Sequence, residues 1–295
     1  MTAQLKSHSQ GQTLVLTLSN PEHRNALDPA MYSAGVEALN VAETNPDVRS
    51  VILTGEGKHF CAGGNLNRIL NNRNAPPEEQ ASGIDALHSW IEAIRTFPKP
   101  VIAAVEGAAA GAGFSLVLAC DMVVASTDSL FVMAYTSVGL SPDGGGSWFL
   151  SRALPRALVN QFMLLGERIP AQRLADAGLI NHIAPTGEAL TQALALAEKL
   201  NQRAPNALAS IKELTEAAYG QDVFTHMHTE KQHFLKRGLA GGVAQTGDAI
   251  GRHLADGEAL QSADQNLVRR EASLAGRVER HAATDAEIVE REVAE

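Results

Sequence analysis

Aromatic residues, cysteines and positive charges are all scarce in this chain of 295 residues. Phe, Trp and Tyr make up only 4% of the residues although 45% are hydrophobic, so the core must be built mainly from Ala, Val, Leu and Ile. Two cysteines, Cys61 and Cys120, are too few for a disulfide framework, and we expect a reducing, cytoplasmic location. The net charge of −9 argues against a nucleic-acid-binding surface, which would be basic.

Long hydrophobic runs and common cofactor motifs are missing as well. The most apolar segment, between Glu106 and Asp121, has fourteen residues, whereas a bilayer-spanning helix needs roughly 20. The N-terminal residues contain no apolar stretch typical of a secretory signal. There is no G-x-x-x-x-G-K-[ST] loop, and 55-GEGKHF-60 fails the last position of the dinucleotide fingerprint. We therefore expect a soluble protein with no nucleic-acid or membrane partner.

Metal binding is not supported by the sequence either. Three histidines, His226, His228 and His233, lie close together, but they share an amphipathic helical pattern with Met and Phe. No cysteine or carboxylate stands at metal-ligand spacing from them. The sequence predicts a helix face there and no metal site.

Six short apolar runs rich in β-branched residues punctuate the first part of the chain, and helical patterns follow several of them. This alternation is typical of an α/β protein with a mostly parallel sheet, in which functional groups lie where strands end and helices begin. The predicted strands are 14–20, 51–57, 101–107, 122–126, 130–134 and 179–184. The predicted helices of this part are 29–43, 66–71, 109–118 and, after a loop at 74–83, 84–97.

The character of the chain changes near residue 190. Residues 1–190 form the predicted α/β core, and residues 191–260 have the pattern of amphipathic helices with breaks at Pro205 and Gly220. Residues 261–295 are rich in charge and alanine with weak periodicity. That composition fits a solvated helix and a partly disordered tail equally well.

Two segments share one pattern, in which a strand ends and a turn of small residues opens a helix: 57-GKHFCAGGNLNRI-69 and 107-GAAAGAGFSLVLACD-121. The first N–H groups of a helix have no partner within it, and the helix dipole favours negative charge there. Small residues let a ligand atom approach these donors. Two such turns facing one point would form an oxyanion hole. The alternative is that the small residues only allow close packing of helix and strand.

These motifs resemble the crotonase superfamily, the enoyl-CoA hydratase/isomerase family. The resemblance covers about residues 13–190. It implies an α/β fold, a crotonase-like spiral of ββα units with a C-terminal helical region that forms a homotrimer or a dimer of trimers. It also implies an acyl-CoA thioester substrate and no separate cofactor, since CoA is part of the substrate. The matching segments are PEHRNALD at 21–28, FCAGGNL at 60–66, KPVIAAVEGAAAGAGFSLVLACD at 99–121, GLSPDGGGSWFL at 139–150 and LLGERIPAQRLADAGLINHIAP at 164–185.

By the same resemblance, the backbone N–H groups of Gly64 and Ala112 would bind the thioester oxygen as it becomes an enolate. Asn65 stands where the family usually has Asp, which matters little if that contact uses the backbone. The implied substrate and CoA contacts are Arg24, Ala26, Leu27, Ala62, Gly63, Asn65, Leu66 and Tyr135.

The two glutamates of the family's hydratases are absent, because Ser115 and Tyr135 occupy their positions. A serine hydroxyl cannot activate water near pH 7 as a glutamate does, so hydration by the two-glutamate mechanism is not expected. One acid remains, Asp143, on the loop where isomerases of the family carry a single carboxylate. Pro-Asp-Gly is also an ordinary turn signature. A single carboxylate can remove a proton and return it elsewhere, so the sequence predicts an isomerase with Asp143 as acid/base.

Two other functions stay open at this point. The family's aryl-CoA dehalogenases use an aspartate at this position as nucleophile, with a histidine as base and a tryptophan beside it. His88 has a fitting position, but it also suits a helix at the edge of the core, and Tyr135 stands where the tryptophan would be. The other alternative is a relative that binds acyl-CoA without catalysis. We expect the acyl group to contact Met133, Trp148 and Phe149, which would accept straight or aromatic chains.

Overall fold

The structure, a computed structural model, describes residues 3–239, in which strands and helices alternate as the sequence predicts. The strands are β1 (Gln4–Gln10), β2 (Thr13–Ser19), β3 (Ser50–Gly55), β4 (Val101–Val105), β5 (Ala108–Ala110), β6 (Met122–Ser126), β7 (Leu130–Val132), β8 (Ile169–Pro170) and β9 (His182–Ala184). The helices are α1 (Pro29–Thr44), α2 (Leu66–Asn71), α3 (Pro77–Thr96), α4 (Ala112–Ala119), α5 (Gly146–Ala153), α6 (Arg156–Leu165), α7 (Ala171–Asp176), α8 (Ala189–Asn201), α9 (Pro205–Ala217) and α10 (Val223–Leu239). No helix between residues 3 and 239 is both long enough and apolar enough to cross a membrane.

The larger sheet has six strands in the order β1-β2-β3-β4-β6-β9. All neighbouring pairs are parallel except β1 with β2, so β1 is an antiparallel edge strand. Strand β4 is buried along its whole length, which explains why its sequence is continuously apolar instead of alternating. Strand β1 was not predicted from the sequence, because its residues are polar and mostly exposed.

Helices cover both faces of this sheet. On one face, α1 and α3 pack together through Tyr32 and the fully buried Trp90, whose ring centroids are 6.3 Å apart. On the other face, α8 presents Ala189, Ala193 and Ala197, which are fully buried against the sheet. Their spacing of four residues places these small side chains on one side of the helix, so α8 approaches the strands closely.

The second face is covered by α8, which begins at Ala189 and extends past residue 190. The compact unit that contains the sheet ends at His226, so the expected boundary between residues 190 and 191 falls inside it. A role of residues 191–260 in trimer formation stays a prediction. Residues 240–260 and the charged tail expected at 261–295 lie outside the described residues.

A smaller sheet in the order β5-β7-β8 divides the second glycine-rich segment. The helix predicted at 109–118 begins only at Ala112, because residues 108–110 pair in parallel with β7. Gly111 separates strand from helix with a left-handed φ of +51°, a conformation that suits glycine. The segment is therefore strand, turn and helix, and the turn leaves the start of α4 open.

Helix α3 begins at Pro77, so most of the loop expected at 74–83 is helical. Proline is favourable at the first position of a helix, where its missing N–H would have no partner. Glu78 and Glu79 follow in the first turn, where negative charge complements the helix dipole. These local signals were present in the sequence and were outweighed by its run of turn-forming residues.

We expect Gly35→Ala to destabilise the protein, because a methyl group at position 35 of α1 would lie 2.1 Å from the ring of Trp90. The loss in free energy of unfolding should be about 1–3 kcal/mol, since overpacking a rigid buried ring outweighs the gain of about 1 kcal/mol that alanine brings inside a helix. Urea denaturation measures it. Glu37→Ala, an exposed position of the same helix, is the control and should change stability by less than about 0.5 kcal/mol. An unchanged midpoint for Gly35→Ala would contradict the tight packing of α1 on α3.

Candidate active site

The two glycine-rich turns lie side by side. The Cys61 N–H donates to the Ala108 carbonyl at 3.0 Å, and the Ala110 N–H donates back to the Cys61 carbonyl at 2.9 Å. A methyl group on Gly63 would lie 2.7 Å from the Ala110 oxygen and 3.6 Å from the Ala112 nitrogen. The topology thus brings together two turns that are almost fifty residues apart in the sequence.

Two backbone donors border the space in front of these turns. Ala112 is the first residue of α4, so its N–H has no acceptor within the helix. Among residues 3–239, neither the Gly64 N–H nor the Ala112 N–H has a hydrogen-bond acceptor. Both residues line one cavity, and the binding of a negatively charged oxygen by their two N–H groups stays a prediction.

The cavity has a volume of about 510 Å³. Its apolar wall comes from α2, α3 and the segment after β7, and its charged groups include Arg68, Glu79 and Asp143. Among the site residues expected from the sequence, residues 62–66, Ala112, Tyr135 and Asp143 line it.

Arg24, Ala26 and Leu27 do not line the cavity. Backbone hydrogen bonds join their loop to the first glycine-rich turn instead. The Leu27 N–H donates to the Gly63 carbonyl at 2.8 Å, and the Ala62 N–H donates to the Arg24 carbonyl at 2.9 Å. The side chains of Ala26 and Leu27 are buried, whereas Arg24 is exposed. A contact of these three residues with CoA stays a prediction.

Asn25, which the sequence motifs did not single out, fixes this loop. Its side chain is fully buried and donates to the carbonyls of Glu56 and His59 at 2.9 and 2.7 Å. Its Oδ1 accepts the N–H of Asn20 at 2.9 Å. Asn25 therefore ties the loop to the end of β3 and, through it, holds the turn that carries Gly64.

Asp143 is held on its loop by three residues from separate parts of the chain. The Tyr135 hydroxyl donates to Asp143 Oδ1 at 2.7 Å. The Ser115 hydroxyl donates to the Asp143 carbonyl oxygen at 3.2 Å. The next N–H, that of Gly144, donates to His88 Nε2 at 3.3 Å. Since Nε2 accepts this hydrogen bond, the ring of His88 carries its proton on Nδ1 when neutral.

Burial governs the ionisation of several side chains around the cavity. It raises the pKa of Tyr135, and the charge and hydrogen bond of Asp143 raise that pKa further, so the phenol stays a donor at neutral pH. Burial also raises the pKa of Tyr32, which lines the same cavity. The pKa of the Cys61 thiol is raised by burial to about 12, so this cysteine is a neutral packing residue and not a nucleophile.

The expectation that Met133, Trp148 and Phe149 contact the acyl group is wrong for this cavity. Trp148 and Phe149 line a second cavity of about 450 Å³, where the Arg152 guanidinium lies 3.7 Å from the centre of the Trp148 ring. Met133 is fully buried in the core. The Asp143 cavity takes its apolar wall instead from Ile69, Ile84, Leu87, Val138 and Leu140.

Tyr32, Arg68 and Glu79 also line the cavity, although no sequence pattern pointed to them. They come from three different helices, α1, α2 and α3, and each stands in an ordinary helical context. Only the packing of these helices around the turns brings the three side chains to one space.

Comparison with known proteins places this geometry in a family. The model of the enoyl-CoA hydratase/isomerase family matches residues 8–239. This chain belongs to the enoyl-CoA hydratase/isomerase family. It is 32% identical to the 1,2-epoxyphenylacetyl-CoA isomerase of Escherichia coli K12 over 250 residues, which are 84% of this chain and 94% of the relative. It is 33% identical to the 2,3-dehydroadipyl-CoA hydratase of the same organism over 225 residues, or 76% and 86% of the two chains.

Solved structures of the family superpose closely on this one. An enoyl-CoA hydratase from Polaromonas sp. JS666 is 58% identical, with a TM-score of 0.83 over 86% of this chain and 97% of that chain. The resemblance to the crotonase superfamily and its α/β fold is therefore confirmed. The protein is an enzyme of the enoyl-CoA hydratase/isomerase family, whose substrates are acyl-CoA thioesters. Isomerases and hydratases both occur among the relatives, so membership alone does not decide the reaction.

We expect Gly63→Ala to be far more damaging to stability than Gly64→Ala. Gly63 has a φ of +92°, and an added methyl group would lie 2.7 Å from the Ala110 oxygen, so the free energy of unfolding should fall by about 1–3 kcal/mol. At Gly64 the methyl group would meet only Ile69 Cδ1 at 3.7 Å, and the change should stay within about 0.5 kcal/mol. Urea denaturation followed by circular dichroism compares the two variants. Equal losses would contradict the close approach of the two turns.

Proposed function

We propose that this enzyme is an acyl-CoA isomerase in which Asp143 moves a proton while the N–H groups of Gly64 and Ala112 bind the thioester oxygen. One observation carries the proposal. The carboxylate of Asp143 lines the same cavity as these two N–H groups, whereas the hydratase glutamate positions hold Ser115 and Tyr135. The cavity would thus combine a site for an enolate oxygen with Asp143 as the neighbouring acid/base.

The backbone donors would stabilise the intermediate. Removing a proton from the α or γ carbon of an enoyl thioester leaves an enolate, whose negative charge is concentrated on the thioester oxygen. Two N–H groups held by fixed turns stabilise this charge without reorganising during the reaction. Losing one such donor typically lowers the rate by about a hundred- to a thousandfold.

Asp143 would complete the reaction by returning the proton to another carbon. The carbon–hydrogen bond breaks as the carboxylate takes the proton, its electron pair forms a carbon–carbon double bond, and the carbonyl pair moves to the thioester oxygen. When that pair returns to form the carbonyl again, the double bonds of the enolate shift and one electron pair forms the new carbon–hydrogen bond with a proton from Asp143, which can exchange with solvent before its return. No water molecule enters, so a second carboxylate is not needed.

The CoA part of the substrate would lie beside the first glycine-rich turn, and the acyl group would lie in the cavity. Arg24 is exposed next to this turn and offers positive charge for the CoA phosphates, in a chain whose net charge of −9 repels anions. The contacts we assign to CoA are Arg24, Ala26, Leu27, Ala62, Gly63, Asn65 and Leu66, and the acyl group would reach Tyr135 and the apolar wall.

A dehalogenase with Asp143 as nucleophile is less well supported. Such a reaction requires a histidine base with a free ring nitrogen facing the site. Nε2 of His88 accepts the Gly144 N–H, and a neutral ring then carries its proton on Nδ1. His88 is therefore engaged in holding the loop.

We expect the enzyme to interconvert 3-enoyl-CoA and 2-enoyl-CoA and to hydrate 2-enoyl-CoA only slowly, because Ser115 and Tyr135 replace the two glutamates. Absorbance of the conjugated thioester follows the double-bond shift, and mass spectrometry in deuterated water detects label at the α or γ carbon. Fast hydration of a short-chain 2-enoyl-CoA, with no double-bond migration for any chain length tested, would contradict the proposal.

We expect Asp143→Asn to lower kcat for isomerisation by about a hundred- to ten-thousandfold, the usual effect of losing an acid/base. KM should stay within a few-fold, because backbone groups hold the thioester. Steady-state kinetics and deuterium exchange measure both effects. Asp47→Asn, an exposed position outside the cavity wall, controls for the change from carboxylate to amide.

Glu79→Gln provides the decisive comparison for this assignment. Glu79 and Asp143 are the two carboxylates that the described part of the chain contributes to the cavity wall. A larger loss of kcat from Glu79→Gln than from Asp143→Asn would move the acid/base role to Glu79.

A further inference from the structure

We propose that Tyr135, Ser115 and His88 form a socket that positions Asp143. The Tyr135 hydroxyl bonds one carboxylate oxygen, so that the other oxygen alone transfers the proton. The inference rests on the proposed function of Asp143 and goes beyond it. It gives Ser115, Tyr135 and His88 a common role in holding Asp143, and two of these residues stand at the positions of the missing glutamates.

Tyr135 is the part of the socket that touches the carboxylate. Its hydroxyl donates to Oδ1 of Asp143 at 2.7 Å, and among the described residues Oδ2 has no donor. The Tyr135 side chain is itself buried, and a methyl group on Gly111 would lie 3.7 Å from its ring. The same ring therefore contacts the turn before Ala112 and the carboxylate, which fixes the base relative to the N–H donors.

Ser115 and His88 hold the backbone on either side of the carboxylate. Ser115 is fully buried on α4 and donates to the Asp143 carbonyl at 3.2 Å, while His88 Nε2 accepts the Gly144 N–H at 3.3 Å. Gly144 has a φ of +59°, and a methyl group there would lie 3.0 Å from Ser115 Cβ. The loop thus closes directly on Ser115. Because α4 also begins with Ala112, one helix supports both an N–H donor and the base.

The socket has a chemical consequence. A hydrogen bond from a neutral phenol stabilises the ionised carboxylate, which is the form that removes a proton. With Oδ1 engaged, Oδ2 takes the proton from one carbon and returns it to another on the same face of the substrate. Ser115 and Tyr135 then support one carboxylate where a hydratase would use two.

The test compares Tyr135→Phe with Ser115→Ala. Tyr135→Phe should lower kcat about ten- to hundredfold, as expected for a hydrogen bond to a charged group, with KM within a few-fold.

Ser115→Ala tests the positioning of the Asp143 backbone apart from the hydrogen bond to the Asp143 carboxylate. It removes the bond to the Asp143 carbonyl and keeps the tyrosine that donates to the carboxylate, so kcat should fall several-fold, less than in Tyr135→Phe, with KM within a few-fold. Tyr219→Phe loses the same hydroxyl from the second cavity and is the control for Tyr135→Phe. In the Asp143→Asn background, Tyr135→Phe should cost nothing further, since Tyr135 acts through Asp143.

Carbon-13 NMR of protein labelled at the aspartate carboxyl carbons gives a readout that needs no turnover. The Asp143 resonance, assigned by its loss in Asp143→Asn, should change its chemical shift in Tyr135→Phe and keep it in Tyr219→Phe, because only the first variant removes a hydrogen bond to that carboxylate. An unchanged resonance together with an unchanged kcat in Tyr135→Phe would overturn the socket while leaving the acid/base role of Asp143 intact. Full isomerase activity of Asp143→Asn would overturn the proposed function and the socket together.

Discussion

The close approach of Gly63 to the Ala110 carbonyl is the constraint on which the site depends. A Cβ atom at position 63 would lie 2.7 Å from that oxygen, and the backbone there is left-handed, so only glycine fits. Because nothing separates the two turns, the N–H groups of Gly64 and Ala112 border one cavity. The two turns are held together by backbone hydrogen bonds, which do not depend on side-chain rotamers.

The buried parallel sheet holds these turns in place. Strands β3, β4 and β6 lie side by side in register, with α1 and α3 on one face and α8 on the other. Parallel strands end at a common edge, so turns that follow different strands meet there. The alanines of α8 and the scarcity of aromatic side chains fit this arrangement, because small side chains let helices pack close to the strands.

One fold can serve different reactions, and the relatives of this chain include a protein named an isomerase and one named a hydratase. The backbone that would hold the thioester is common to the fold, whereas the groups that would act on the acyl chain are a few side chains at its edge. In this chain those positions carry Ser115, Tyr135 and Asp143, which are linked by hydrogen bonds. The reaction of this chain is therefore to be sought in these side chains and not in the fold.

The sequence by itself determined the elements with strong local signals. Strand β6 and helix α2 lie at the predicted residues, and both glycine-rich turns were identified, because periodicity and small residues act locally. Strand β1 and the lining of the cavity were decided only by the tertiary structure. The polar edge strand β1 forms because it pairs with β2. Trp148 does not line the cavity of Asp143, because helix α5 contributes it to the second cavity. The contacts of His88, Ser115 and Tyr135 with the loop of Asp143 join residues up to 56 positions apart, and no local pattern encodes a contact over that distance.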